Sequence, residues 1–175
     1  MQVKVEKNDL VKVKADLLVV NLFAGVRKPG GATGAVDRAL GGYLAKEIAE
    51  TGFSGKEGET LLLPTQGKIP AKRVLVIGLG EPKNFSQERV RRVAALAVKK
   101  AAQLKQRRVA TILHGAGIGG LSAKDAARAI VEGSQLALYQ YDKYKEKQKQ
   151  ERKQKQQQKQ ELVIVESDNL KFRAV

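Results

Sequence analysis

The chain contains no cysteine, no tryptophan and a single histidine, and each shortage closes off a class of function. Without thiols there is no disulfide framework and no thiolate to act as nucleophile or ligand. The lone His114 has no second imidazole with which to build a metal site, so it reads as a packing residue at a strand end. No apolar run approaches the roughly 18 residues that a membrane-spanning helix requires. The N-terminal "MQVKVEKNDL" lacks a signal-peptide core and cleavage site. A cytoplasmic protein without a membrane partner is therefore expected.

Negative charge is also in short supply. Lys and Arg number 33 against 18 Asp and Glu, giving a net charge of +15 over 175 residues. Residues 143–159 hold eight Lys/Arg and only two Glu. Such a surplus is either a set of solvated lysines or an electrostatic surface for nonspecific nucleic-acid binding. The second reading is weakened in the tail by the lack of interleaved aromatic side chains on which bases would stack. The length and the 42% hydrophobic share suit one domain with its own core, plus an extension.

What is present is an alternation of strand-like and helix-like segments. "QVKVE" alternates apolar and polar residues, as a half-buried strand does. "ADLLVVNLF" and "KRVLVIGLG" are continuous apolar runs suited to strands buried on both faces. "GETLLLPTQG" and "RVATILHG" read as further strands, and "SQERVRRVAALAVKKAAQLKQ" as an amphipathic helix. Val36, Leu40, Leu44 and Ile48 recur at four-residue spacing after Thr33, which predicts a helix capped by Thr33. Gly41 and Gly42 inside it signal close packing or a break. Ser122 and Asp125 form a capping pair that starts the last long helix. This order predicts an α/β domain with a parallel or mixed sheet.

Beyond residue 142 the texture changes. Residues 143–160 are a low-complexity Lys/Gln linker that can bury nothing, and residues 161–175 begin with an isolated strand, "ELVIVES". That strand needs a partner sheet, either in this domain or in another.

"HGAGIGG", residues 114–120, contains a literal G-x-G-x-x-G. A dinucleotide site would place it after the first strand, with an acidic residue ending the next strand about 20 residues on. Here it follows a late strand, and Glu132 and Asp142 lie in the predicted final helix. Two readings remain, an anion cradle at a helix start or a tight turn that glycine alone tolerates. "KPGGATGAV" repeats the same strand–loop–helix context.

Taken together, "NDLVKVKADLLVVN", "GGATGAVDRALGG" and "GAGIGGLSAKDAARAIVEG" resemble the macro domain. The stretch with "F-x-G-K-x-G-E" and "R-V-L-V-I-G-L-G" resembles the N-terminal domain of leucyl aminopeptidases, the M17 metallopeptidases, over about residues 1–145. The resemblance implies a three-layer α/β/α macro-domain-like mixed sheet over residues 1–142, with the Lys/Gln-rich extension following it. It also implies a candidate nucleotide or phosphate site. Asp9 would hold a base, and Gly30, Gly31, Gly34, Gly115, Gly117, Gly119 and Gly120 would surround ribose and diphosphate. ADP-ribose or a related nucleotide is the implied ligand. Two departures stand out: "NLFA" replaces an "NAAN"-like segment, keeping Asn21 but putting Ala24 at the later position, and Gly119 or a neighbour replaces an aromatic residue.

The family's two divalent metals, such as Zn or Mn, and its "NTDAEGRL" segment belong to a catalytic C-terminal domain. No such segment occurs here. The resemblance therefore implies a non-catalytic domain with no cofactor of its own. Its implied role is structural, in a homo-oligomer or beside a catalytic aminopeptidase domain.

Overall fold

A computed structural model describes residues 1–116, 119–139 and 160–175. Six strands form one sheet: β1 (Gln2–Lys7), β2 (Leu17–Leu22), β3 (Thr60–Pro64), β4 (Arg73–Gly78), β5 (Arg108–Ile112) and β6 (Glu161–Glu166). Their order is β1-β6-β5-β2-β4-β3, with β3 antiparallel to β4 and every other pairing parallel. The helices are α1 (Gly31–Ala39), α2 (Tyr43–Thr51), α3 (Gln87–Gln103), α4 (Ala123–Leu138) and α5 (Asn169–Arg173).

Two apolar layers explain why β2 and β4 lack polar residues over most of their length. Leu17, Val19, Leu75 and Ile77 face α3 and α4, in one core with Val90, Val93, Ala97, Ala126 and Ile130. Leu18, Val20, Val74 and Val76 face the opposite way, in a core with Val36 of α1, Leu40 at its C-terminal cap, and Leu44 and Ile48 of α2. The result is the three-layer α/β/α sandwich expected for a largely parallel sheet covered on both faces. α3 and α4 approach closely where Gly133 meets the Arg91 backbone, and a methyl group at Gly133 would overlap the Arg91 carbonyl oxygen. Arg91 Nε donates to Glu132 at 2.7 Å across the same contact.

The single helix expected from Thr33 onward is two helices. Gly41 and Gly42 take φ of +71° and +81°, so the chain turns there through left-handed backbone that glycine adopts without steric cost. The apolar four-residue spacing survives the break because α1 and α2 both rest on the same core. Asp37 Oδ1 accepts from Ala45 N across the break at 2.9 Å, and Lys68 Nζ donates to Leu40 O at 2.9 Å. Thr33 is not the cap. Gly30 occupies that place, and the Thr33 hydroxyl donates instead to Asn21 O at 2.6 Å. Ser122 and Ser86 do cap α4 and α3 through their side chains.

The strand at 161–166, which the sequence leaves without a partner, lies inside the sheet between β1 and β5 and is parallel to both. Its Leu162, Val163, Ile164 and Val165 are buried, two on each face. An apolar strand in that slot satisfies its ladder on both sides, which is why it is not an isolated tail. The stretch 140–159, which carries nearly all of the Lys/Gln linker, lies outside the described residues.

The "F-x-G-K-x-G-E" segment is a structural clasp. Glu59 accepts from Ser54 N at 3.0 Å, Ser54 Oγ at 2.9 Å and Lys56 N at 3.1 Å. Partial burial alone would raise its pKa, but these donors outweigh burial and hold it below the ordinary carboxylate value. The clasp seats on Gly78, where a side chain would collide with Gly55 and Lys56.

Candidate functional site

The parallel strands β2 and β5 end at the same edge of the sheet, and the two glycine-rich loops leave from there. Between them lies a cleft of about 490 Å³, within the range of small-molecule sites. Gly30 and Gly31 at the start of α1 form one wall, and Gly115 and Gly119 form the other. The floor is apolar, with Leu22, Phe23, Leu79 and Ile112, and the far rim carries Asn8, Glu166, Ser167 and Lys171. A crevice at the carboxyl ends of parallel strands is where ligands of open α/β sheets usually sit.

The remaining sequence candidates are placed differently. Gly34 lies beneath the first loop, where its N–H donates to Gly30 O at 2.8 Å and a Cβ would stand 2.6 Å from Pro29 O. It is a close-packing position, not a cleft wall. Gly120 turns the second loop back so that Leu121 N reaches Gly115 O at 3.1 Å, and it does not line the cleft. Gly117 lies outside the described residues. Asp9 is exposed and accepts from Val11 N at 3.1 Å, capping a short 3-10 turn over Leu10–Lys12. Its neighbours Asn8 and Leu10 line the cleft, whereas Asp9 does not.

Two contributors were missed from the sequence. Phe85 comes from the connection between β4 and α3, and its ring packs against Gly115 and Gly119, where any side chain would collide with it. Phe85 meets Phe23 edge to face, with centroids 5.3 Å apart at 77°. An aromatic ring thus packs beneath the second loop from outside it, without lining the cleft. Its signal was available: an apolar residue directly before the Ser86 cap is the staple position of a helix start. The C-terminal rim, with Lys171 and Glu166, had no such signal because it depends on where β6 docks.

Under the cleft floor a polar chain links three elements. Asn21 Nδ2 donates to His114 Nδ1 at 2.7 Å, so the ring proton sits on Nε2 and is donated to Thr111 Oγ1 at 2.9 Å. His114 is fully buried, and burial lowers its pKa from the ordinary 6.5 to about 4. Both ring nitrogens are engaged, which leaves His114 a packing residue with no lone pair for a metal. Among the described residues, no group of three or more His, Cys, Asp or Glu is arranged to hold a metal ion. The described residues thus offer no cluster for the two divalent metals that the sequence resemblance assigns to a further domain.

Comparison with solved structures defines the class of fold. A Trypanosoma brucei macrodomain in complex with ADP-ribose matches with a TM-score of 0.76 at 16% identity, covering 99% of this chain and 67% of that one. A tomato leucine aminopeptidase variant matches with a TM-score of 0.71 at 22% identity, over 99% of this chain and 35% of that one. The fold is macro-domain-like. The sequence profile of the cytosol aminopeptidase family, N-terminal domain, matches residues 19–148, and the chain belongs to that family. A probable cytosol aminopeptidase of Alkaliphilus oremlandii is 32% identical over 145 residues, and one of Alkaliphilus metalliredigens is 32% identical over the same length. The chain spans 29% of the length of each of these relatives. Among the described residues no helix is long and apolar enough to cross a membrane.

Proposed function

We propose that this chain is a non-catalytic scaffold domain of a cytoplasmic M17 aminopeptidase, acting by packing in a homo-oligomer or against a catalytic aminopeptidase domain. The observation that carries this reading is the family match over 130 residues of a domain whose Glu59 clasp, close-packed Gly34, Gly78 and Gly133 and Asn21–His114 pair serve its own packing. Asn21 donates to His114, and one oxygen of Asp9 caps a turn, so both polar groups that resemblance would assign to a ligand have a structural role here. On this reading the two divalent metals, and peptide hydrolysis with them, belong to the catalytic domain.

A second reading has one specific observation in its favour: the open cleft walled by Gly30, Gly31, Gly115 and Gly119. ADP-ribose, the ligand of the Trypanosoma brucei macrodomain structure, would be its occupant. Calorimetric titration with ADP-ribose separates the two. The scaffold reading expects a flat titration. Saturable heat would favour the second reading, provided that Gly30→Glu abolishes it. That substitution has open space for its side chain and an extended backbone, and it places a negative charge on the cleft wall without disturbing the fold.

A further inference from the structure

Among the described residues the two outer strands of the sheet are each paired on one side only, and they are built differently. β3 runs five residues and ends on Pro64, which has no N–H to offer a further strand. β1 runs six residues without Pro or Gly and pairs with β6 one to one, with no bulge. Its ladder to β6 starts with Gln2 N donating to Gln160 O at 3.0 Å and closes with Asn8 N donating to Glu166 O at 3.3 Å. Even-numbered backbone groups therefore face β6, and those of Val3, Val5 and Lys7 point out of the sheet.

An antiparallel copy of β1 meets this edge outward group to outward group in registers centred on Lys4, Val5 or Glu6. Centring on Lys4 sets that lysine against its own copy, and centring on Glu6 does the same to the glutamate; both oppose like charges. Centring on Val5 sets Lys4 opposite Glu6 of the second copy, twice by symmetry, and Val5 opposite Val5. Within one chain Lys4 already pairs with Glu161 at 2.6 Å, and Glu161 and Glu6 both pair with Arg108. The second copy thus extends an existing run of alternating charges.

The flanks of the same edge are apolar. Val3 and Val5 pack on the α3–α4 core, and α5 touches both β1 and α4. The most exposed large apolar side chains among the described residues belong to these two helices and the α4 cap: Leu136 at 70%, Tyr139 at 72% and Leu170 at 79%. A two-fold axis perpendicular to the sheet keeps α4 and α5 of both copies on one face, so these side chains flank the joint from both sides. Two paired strands alone bury little area for a stable dimer, and this apolar cover adds to it.

We infer that two copies of this chain join edge to edge through β1, antiparallel and centred on Val5, into one continuous twelve-stranded sheet. The inference rests on the homo-oligomer part of the scaffold reading and names its contact surface.

The chain has no cysteine, so single cysteines report the register directly. The central pair of this register has Cα atoms about 5.5 Å apart, within disulfide reach. Lys7 and its own copy stand four positions apart along the strands, about 13 Å, which no disulfide spans. On mild oxidation of the full chain, Val5→Cys is expected to form a covalent dimer at least tenfold faster than Lys7→Cys. Sedimentation velocity across a concentration series should show a dimer that Val5→Pro weakens at least tenfold, because proline removes an outward N–H and leaves the ladder to β6 intact. Leu62→Pro, the same change at an outward position of β3, should leave the dimer unchanged. If Val5→Pro fails to fold, the cysteine pair decides. Hydrogen exchange at the amides of Val3, Val5 and Lys7 should slow as protein concentration rises. An oligomer that crosslinks equally through both cysteines would overturn the inference and leave the scaffold reading standing. A monomer at every concentration would overturn the inference and the homo-oligomer part together, leaving only packing against a catalytic domain. Protection of the three amides that does not depend on concentration would place another segment of the same chain on the edge and overturn the inference as well.

Discussion

Gly133→Ala is expected to destabilise the chain by about 2 kcal/mol, although alanine is favoured over glycine in a helix interior by about 1 kcal/mol. The sign follows from packing. α4 crosses α3 with Gly133 against Arg91, and a methyl group there overlaps the Arg91 backbone, which cannot move as a flexible side chain tip does. The contact is also pinned by the Glu132 carboxylate, which accepts from Arg91 Nε at 2.7 Å and Arg128 Nε at 2.8 Å. Relief requires the helices to part, which strips contacts from Val90, Ala94, Ala126 and Ile130. Gly133→Val should cost more, about 3 kcal/mol or above, because overpacking grows with volume and a β-branched residue adds helix strain. Urea denaturation of the three proteins checks this; an alanine variant as stable as the parent would show that the crossing yields cheaply.

Acid should begin to weaken the fold through His114 before it protonates Asp16. His114 is held neutral by burial, with a pKa of about 4 against the ordinary 6.5. The unfolded chain therefore binds a proton that the folded chain refuses. The stabilising contribution is complete above pH 6.5 and is lost progressively as pH falls to about 4, amounting to roughly 3 kcal/mol. The lowered carboxylates follow a lower window. For Asp16, burial opposes ionisation, but Lys72 and the N–H groups of Arg108 and Arg107 outweigh it, so its contribution is lost only as pH falls below the ordinary 3.8. His114→Gln removes the titrating ring. Its stability at pH 7 should be lower than the parent's, yet its decline between pH 6.5 and 4 should be much shallower. Parallel declines in the two proteins, followed by chemical denaturation across pH, would contradict the assignment.

Much of the fold was legible because its signals are local. The apolar runs at 17–22 and 73–78 announce strands buried on two faces, and Ser122 with Asp125 announces the start of α4 through its cap. What was not legible depends on distant partners. Thr33 looks like a cap until Asn21 O, twelve residues back, takes its hydroxyl. The strand at 161–166 carries its own β signal but nothing that says its slot lies between β1 and β5. The cleft shows both sides of this. Gly30, Gly31, Gly115 and Gly119 were readable as loop glycines, and the structure brings them to one crevice. Asp9 offered the same local appearance, and its Oδ1 accepts from Val11 N two residues on, a local turn that the sequence also allows.

"HGAGIGG" illustrates how a motif gains meaning from its surroundings. Gly115 takes φ +83° and leaves room for the Phe85 ring, so the tight-turn reading has a physical basis. The same glycine faces the cleft, so the turn and the cradle are one geometry. What the loop does for the domain is to close β5 over the buried His114 and start α4 at its Ser122 cap.

The scaffold account is tested most directly by hydrolysis of leucine p-nitroanilide by the purified chain with added Mn²⁺ or Zn²⁺. It predicts no turnover above the metal-only blank at any protein concentration. Hydrolysis that rises in proportion to the chain and disappears with a chelator would contradict it.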